Sequence, residues 1–265
     1  MKIPEVIFKQ RLKFREQFYN FMATVTGLTI FTIEFFKQAF ILPLEASEIK
    51  KHMDELGVKT FPIVTITGFI IGFVLALQTQ PILARFGATD FLPAMVAISV
   101  VRELGPVITA LIFAGRVSSG IGAELGSMRV TEQIDAMDVS GVNPFKYLVV
   151  TRIIATTMIL PLLTVYVIFL AMVGCFIAIA IAEPMSVQYF IDSVIESIAF
   201  EDFIPGVSKT FIFGYIVGLV GCYKGYTTVG GTEGVGKSST TSVVIASMLI
   251  LIVDAILVKI SVLIW

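Results

Sequence analysis

Three charged residues lie inside long apolar stretches of the sequence, and they are the residues best placed to do chemistry. Arg102 and Glu103 are neighbours about midway through the apolar run Phe91–Gly115, and Asp254 lies near the middle of the last run, Thr241–Trp265. Charges at that depth are costly and usually face a bundle interior or a wet cavity. Three uses are open: an ion pair that fixes helix packing, contact with a polar substrate group, and a proton relay.

At least one of the two adjacent charges needs another partner or a polar substrate group. Neighbouring residues on a helix point roughly 100° apart, so Arg102 and Glu103 cannot pair fully with each other. We predict that Arg102 pairs with Asp254, which should lie at a similar depth in the membrane. Reversal of both charges should then rescue the function that is lost in either single reversal.

The sequence offers little for a membrane-embedded enzyme, which would need a catalytic or metal-binding cluster. Asp135 and Asp138 come nearest to one, and they fit a docking helix better. His52 is the only histidine, and Cys175 and Cys222 lie in apolar runs, so we interpret the cysteines as small core residues without a disulfide or metal. A secondary transporter or channel is the other alternative, and it would need an ion gradient rather than an ATPase.

One segment matches the phosphate-binding loop pattern G-x-x-x-x-G-K-[ST], namely Gly231–Ser238. That loop works where it follows a buried strand and opens a helix in a soluble α/β domain. Here apolar runs precede and follow it. We therefore predict a glycine-rich cytoplasmic turn, with Lys237 at the lipid headgroups and Ser238–Thr241 starting the last helix.

Composition makes lipid the solvent for most of the chain. Of 265 residues, 56% are hydrophobic and 15% are charged, and the net charge of −1 argues against nucleic acid as a partner. Five runs are long enough to span a bilayer, which takes about 20 residues of helix. They are Phe61–Gln80, Phe91–Gly115, Leu148–Ala182, Ile204–Tyr223 and Thr241–Trp265.

Two details of these runs leave alternatives open. The third run is long enough to be tilted, or to be broken near Pro161. Glycines at G-x-x-x-G spacing indicate close helix contacts, within one protomer or between two. They are Gly68 and Gly72, Gly214 and Gly218, and Gly221 and Gly225.

Basic residues predict one topology, with the amino terminus in the cytoplasm and the carboxyl terminus outside. A sixth apolar stretch at 18–36 has basic residues on both sides. This favours a helix that lies in the cytoplasmic interface, or that dips into the membrane and returns, over a span. The acidic loop 183–203 falls outside, and Trp265 is an interfacial anchor type. The basic residues used are Lys2, Lys9, Arg11, Lys13, Arg15, Lys37, Lys50, Lys51, Lys59, Arg116, Arg129, Lys146, Arg152, Lys224 and Lys237.

A short acidic amphipathic helix is predicted after the second span. Val130, Ile134 and Met137 share one face of it, and Gly141 and Pro144 end it. Such a helix suits docking into a groove of a partner protein, and the alternative is a solvated or lipid-surface helix.

The run from Arg102 to Pro144 contains the segments RELGP, AGR, AELGSM and EQIDAM, and GGTEGVGKSSTTSVV precedes the last span. With them the chain resembles the MlaE (YrbE) permease family, the membrane subunit of MCE-associated lipid-transport ABC systems. The resemblance covers nearly the whole chain. It implies a phospholipid permease of the bacterial inner membrane that maintains outer-membrane lipid asymmetry. It also implies a homodimer, two separate ATPase subunits that hold ATP and Mg²⁺, a periplasmic MCE-domain lipid carrier, and often a small STAS-domain protein.

The resemblance also implies site residues. Those near a lipid-binding cavity or gate are Arg102, Glu103, Leu75, Leu77 and Gln80, to which we add Asp254. Those that couple the chain to the ATPase lie in the segment 124–141 and are Glu124, Met128, Arg129, Glu132, Gln133, Ile134 and Met137. The predicted fold is an all-α membrane protein, with a basic, interfacial helical region at 1–60 and a five-span permease domain at 61–265. No cofactor is expected on this chain.

Overall fold

A computed structural model describes residues 3–41, 45–182 and 185–264. Lys2, Glu183 and Trp265, on which parts of the predicted topology rest, lie outside these ranges, as do the side chains of Lys9, Arg11 and Lys13. The chain divides into two units, one at 1–44 and one at 45–265. The predicted domain boundary at 60 falls inside a helix of the second unit.

The amino-terminal unit is a single helix, α1, Ile3–Ala39. Glu34 accepts a hydrogen bond of 2.9 Å from Gln38 and lies 3.9 Å from Lys37. Helix α1 is not among the helices that are long and apolar enough to cross a membrane. The interfacial placement of 18–36 stays a prediction.

The second unit is built from seven helices, and no strand occurs in the described part of the chain. Five of the helices are long and apolar enough to span a membrane, as predicted, and most extend beyond the apolar runs. The helices are α2 (Ala46–Arg85), α3 (Thr89–Val130), α4 (Gln133–Val139), α5 (Phe145–Ala182), α6 (Val187–Ser197), α7 (Phe200–Tyr226) and α8 (Gly231–Ile264).

Helix α3 changes its winding twice along its length. Val100–Leu104 and Ala114–Ser118 are π-helical, and α-helix flanks both segments. Such π-helical turns are rare and occur frequently at functional sites. Helix α5 continues through Pro161 without interruption, so of the two alternatives for the third span the break is wrong.

The predicted glycine contacts are made within one protomer. Helix α5 packs against α2 on one side and α7 on the other. Gly68 and Gly72 of α2 face the backbone of Val167 and Ala171 on α5, where a side chain would collide. Glycine therefore allows these helix backbones to approach more closely than larger residues would.

Four of the five glycines of helix α7 pack against two neighbouring helices. Gly214 and Gly218 lie against Thr156 on α5, whereas Gly221 and Gly225 lie against Ser118 and the Gly122 region of α3. Helix α7 therefore packs closely against α5 at one part of its length and against α3 at the next.

Helix α6 lies between the third and fourth spans along the chain, and it was not predicted from the sequence. Ser186 caps its first turn by accepting a hydrogen bond of 3.2 Å from the Tyr189 amide. Phe190 is buried and packs edge-on against Phe176 of α5, with ring centroids 5.2 Å apart. The acidic loop therefore contains a helix that is packed onto the bundle.

Candidate functional site

A cavity with a volume of about 720 Å³ lies between α3, α7 and α8. One side is charged and the other is largely apolar, which is the arrangement of a site for an amphiphilic molecule. Its lining residues are Arg102, Glu103, Glu201, Asp202, Pro205, Gly206, Ser208, Lys209, Ile212, Leu257, Val258, Ile260 and Ser261.

Lys209 connects three helices at the charged side of this cavity. Its ammonium donates to Glu103 Oε2 at 2.7 Å and to Asp254 Oδ1 at 2.9 Å. The Lys209 side chain is only 7% exposed. A buried ammonium is retained only with close partners, because desolvation of an isolated charge is costly.

Arg102 pairs with Asp202 rather than with Asp254, so the predicted pairing is wrong. The Arg102 guanidinium donates through Nε and binds through Nη2 to Asp202 Oδ1 at the start of α7. Asp202 is 6% exposed, whereas the Arg102 side chain is 57% exposed. The expectation that at least one of Arg102 and Glu103 has another partner is confirmed, since Arg102 binds Asp202 and Glu103 binds Lys209.

Local backbone structure places these charges. Arg102 and Glu103 both belong to the first π-helical segment of α3. Gly206 of α7 lies directly against the Val101 carbonyl, so α7 approaches this segment with no side chain between them. Asp202 is fixed as well, because its Oδ2 accepts a hydrogen bond of 3.3 Å from the Ala199 amide at the start of α7.

Sequence reasoning missed Lys209 and the role of Asp202. Lys209 is a lone lysine inside the fourth apolar run, and the rule that identified the other intramembrane charges applies to it equally. Asp202 was assigned to the outer loop because the apolar run used to predict the span starts only at Ile204. Helix α7 begins earlier, at Phe200, and therefore includes Asp202.

The predicted residues from the first span are not brought to the cavity. Its lining residues in the described part of the chain do not include Leu75, Leu77 or Gln80. Leu75 instead packs against a buried cluster that contains Val96 and Ala171. Asp254 lies behind the lining, 15% exposed and bound to Lys209.

The predicted coupling segment is two helices rather than one. Helix α3 runs on to Val130, and α4 begins at Gln133 after Glu132, which has a left-handed φ of 59°. Arg129 Nη1 spans the break with a bond of 2.5 Å to Asp135 Oδ1. Val130 therefore lies on a different helix from Ile134 and Met137, and the three do not form one continuous amphipathic face.

The coupling residues point in different directions. Ile134 is buried, whereas Glu132 and Gln133 are exposed, and Met128, Arg129 and Met137 are half-buried. Glu124 pairs with Arg152 of α5 at 2.7 Å. Gly141, with a φ of 80°, ends α4 as predicted, because the Val142 amide reaches back to the Met137 carbonyl at 3.1 Å.

The phosphate-loop pattern has a different conformation from that loop. Helix α8 already begins at Gly231, so Gly231–Ser238 forms its first turns. The prediction of a turn up to Lys237 is wrong, because the segment is already helical from Gly231. Helix α7, and not a strand, precedes the segment. The Gly234 amide binds the Gly230 carbonyl at 3.3 Å, and in the helical turns that follow the amides bind the helix's own carbonyls. Only the amides of the first turn are left open to a ligand.

Five helices that are long and apolar enough to span a membrane, with a charged cavity between three of them, indicate a multi-pass membrane protein. The family model "Permease MlaE" matches residues 49–260. The chain belongs to the MlaE permease family, and it is a transport subunit of the ABC permease type.

Individual relatives agree with this assignment. A probable ABC transporter permease protein of Rickettsia prowazekii is 34% identical over 252 residues, which are 95% of each chain. A probable ABC transporter permease protein of Synechocystis is 37% identical over 76% of this chain and 77% of its own. The intermembrane phospholipid transport system permease protein MlaE of Haemophilus influenzae is 33% identical over 78% of this chain and 80% of its own.

Proposed function

We propose that the chain moves phospholipids between the inner membrane and a periplasmic MCE-domain carrier, powered by a separate ATPase. The observation that carries this proposal is the cavity, which presents charged groups on α3 and α7 and apolar residues on α8. A phospholipid has the matching division between headgroup and acyl chains. The name of the Haemophilus relative, a phospholipid transport permease, agrees with it.

In this proposal Arg102 binds the headgroup phosphate. A guanidinium has five N–H donors. Asp202 takes the Nε donor and contacts Nη2, so further donors of this exposed side chain are available to a ligand. Arginine binds phosphate through short, charge-assisted hydrogen bonds. Lys209 is bound by Glu103 and Asp254, and we assign it to holding α3, α7 and α8 together rather than to the lipid.

The proposal includes energy input from a partner. Transfer of a buried CH₂ group out of an apolar environment costs about 0.8 kcal/mol, so a phospholipid does not leave the bilayer unaided at a useful rate. ATP and Mg²⁺ would be held by the ATPase, and α4 would pass its motion to α3. Val139 on α4 is 90% exposed and Val142 is exposed beyond it, which gives a partner groove an apolar contact.

A homodimer completes the proposed transporter. Many apolar residues of α8 are exposed, among them Met248, Ile252 and Ile256, and a second copy or lipid would cover them. By the same proposal the chain lies in the inner membrane, with its amino terminus in the cytoplasm and its carboxyl terminus in the periplasm. An MCE-domain protein and a small STAS-domain protein complete the set of proposed partners. Together these components would maintain lipid asymmetry of the outer membrane.

The test is purification of the chain with its partners in mild detergent, followed by mass spectrometry of the proteins and lipids. The same complex in vesicles should transfer a labelled phospholipid only when ATP is present. Arg102→Gln should lower transfer about tenfold, as expected for one lost charged hydrogen bond, while Arg85→Gln at the exposed end of α2 should not. Transfer that follows an ion gradient without ATP would instead support a secondary transporter.

A further inference from the structure

A second cavity of about 210 Å³ lies between the first turns of α2, the later part of α3 and the start of α5. Arg116 follows Arg102 by fourteen residues on α3, which is about 21 Å along a helix that rises 1.5 Å per residue. The second cavity is therefore separate from the first. Its charged and titratable lining residues are His52, Glu55, Lys59, Arg116, Glu124 and Arg152.

Arg152 forms the fixed floor of this cavity. It is only 5% exposed, and it donates through Nη2 to Glu124 Oε1 at 2.7 Å and through Nη1 to the Leu148 carbonyl at 2.9 Å. Glu124 is 55% exposed, so the pair joins a buried guanidinium to the open side of the cavity. Arg152 and Glu124 together carry no net charge, so any excess of positive charge in the cavity comes from its other groups.

Positive charge exceeds negative charge among the groups that face the cavity. Lys59 is bound by Glu55, and Arg152 is bound by Glu124. Arg116 is exposed and has no carboxylate partner within the described residues. Arg116 also lies on the second π-helical segment of α3, as Arg102 lies on the first. The helix thus presents an arginine to a cavity at each of its two irregular turns.

The remaining walls are apolar or open. Leu56, Val117 and Ile121 supply apolar contact beside the charges. Gly120 lines the cavity, and a Cβ atom added there would meet no atom within 4 Å. The cavity is therefore open at Gly120, four residues from Arg116.

We propose that this cavity binds the phosphate of a phospholipid headgroup, through Arg116 and Lys59 above the Arg152 floor. Arginine and lysine together are the side chains that proteins use for phosphate. The apolar wall would contact the glycerol and the first acyl carbons, and free inorganic phosphate is the other source of the same chemistry. The site is distinct from the transport cavity and does not rest on the direction or cargo of transport.

The test uses the full-length protein with its co-purified partners, stripped of lipid in detergent. Native mass spectrometry and thermal unfolding are measured with phosphatidylglycerol, with diacylglycerol of the same acyl chains, and with inorganic phosphate. We expect Arg116→Gln to weaken phosphatidylglycerol binding at one site per chain about tenfold. Gly120→Leu, which adds bulk at the open position of Gly120, should do the same, and Arg85→Gln should bind like the wild type.

Each outcome decides the proposal. Diacylglycerol that binds as well as phosphatidylglycerol would overturn it, as would unchanged binding in both cavity variants. Protection by inorganic phosphate alone, lost in Arg116→Gln, would support the phosphate site and identify the free ion as its source. If Arg116→Gln fails to fold, Gly120→Leu decides alone. Arg102→Gln should still bind phosphatidylglycerol at this second cavity. Failure of the headgroup-site proposal can therefore be told apart from failure of the transport proposal.

Discussion

Lys209 on α7 and Asp254 on α8 form an ion pair of 2.9 Å, and both side chains are largely shielded from solvent, at 7% and 15% exposure. Glu103, the other partner of Lys209, is 42% exposed and more readily solvated. Loss of the lysine would leave Asp254 as a charge with no partner in an apolar setting. The pair therefore matters more for the integrity of the helix bundle than its distance alone indicates.

Lys209→Met should destabilise the protein by about 3 kcal/mol, because removal of one member of a buried pair leaves the other uncompensated. Thermal unfolding in detergent measures the effect. Lys259→Met, an exposed position on the same helix as Asp254, should leave the melting temperature within error of the wild type. Equal effects of the two variants would refute a structural role for Lys209.

A double-mutant cycle should distinguish the two possible partners of Arg102. Arg102→Gln and Asp202→Asn should couple by about 1 kcal/mol, a modest value because the Arg102 side chain is exposed to solvent. Arg102→Gln and Asp254→Asn share no contact and should be additive. A larger coupling energy with Asp254 than with Asp202 would contradict the observed pairing.

Two glycines should respond in opposite directions to alanine. Gly72→Ala places a methyl group against the Ala171 carbonyl and should cost about 2 kcal/mol through forced separation of α2 and α5. Gly236 lies in the helical start of α8 with open space around it. Gly236→Ala should stabilise the protein by about 0.5–1 kcal/mol. Melting temperatures of both variants provide the measurement.

Two apolar residues of the 124–141 segment should separate folding from partner binding. Ile134 is 2% exposed, so Ile134→Ala should destabilise the chain by about 2–4 kcal/mol. Val139→Asp should leave the melting temperature unchanged and reduce the amount of ATPase that co-purifies. Full retention of the ATPase by Val139→Asp would exclude α4 as its contact.

The chain purified without its partners should show no ATP-dependent change in melting temperature. A ligand at 100 times its dissociation constant would stabilise a binding protein by about 2.7 kcal/mol, which is readily detected. ATP protection that disappears in Lys237→Ala would show that Gly231–Ser238 binds nucleotide after all.

Much of the fold was predictable from apolar run length alone. The five spans follow from the requirement for about 20 apolar residues, and their number is confirmed. Helix ends were less predictable, since polar residues such as those at 46–60 and 116–130 continue a helix that apolar content alone would stop. The unexpected α6 has an apolar face but is too short for a span.

The site was half predictable, because a sequence shows which charges are buried in the membrane but not which of them meet. Arg102, Glu103 and Asp254 were identified from their depth in the apolar runs. Similar depth also suggested the pairing of Arg102 with Asp254, which the structure does not show. The actual partners depend on the lateral order of α3, α7 and α8. Gly206 brings α7 to Arg102, and the same helix carries both Asp202 and Lys209. Lateral order is a tertiary property that run length does not encode.

The glycines of α7 have a mechanical consequence. Gly214 and Gly218 fix it to α5, and Gly221 and Gly225 fix it to α3, in each case backbone against backbone or short side chain. Such contacts have no flexible side chains that could absorb sliding, and Gly68 and Gly72 join α2 to α5 in the same way, so α2, α3, α5 and α7 should move as one rigid unit. If α4 moves α3, the other three helices of this unit should move with it.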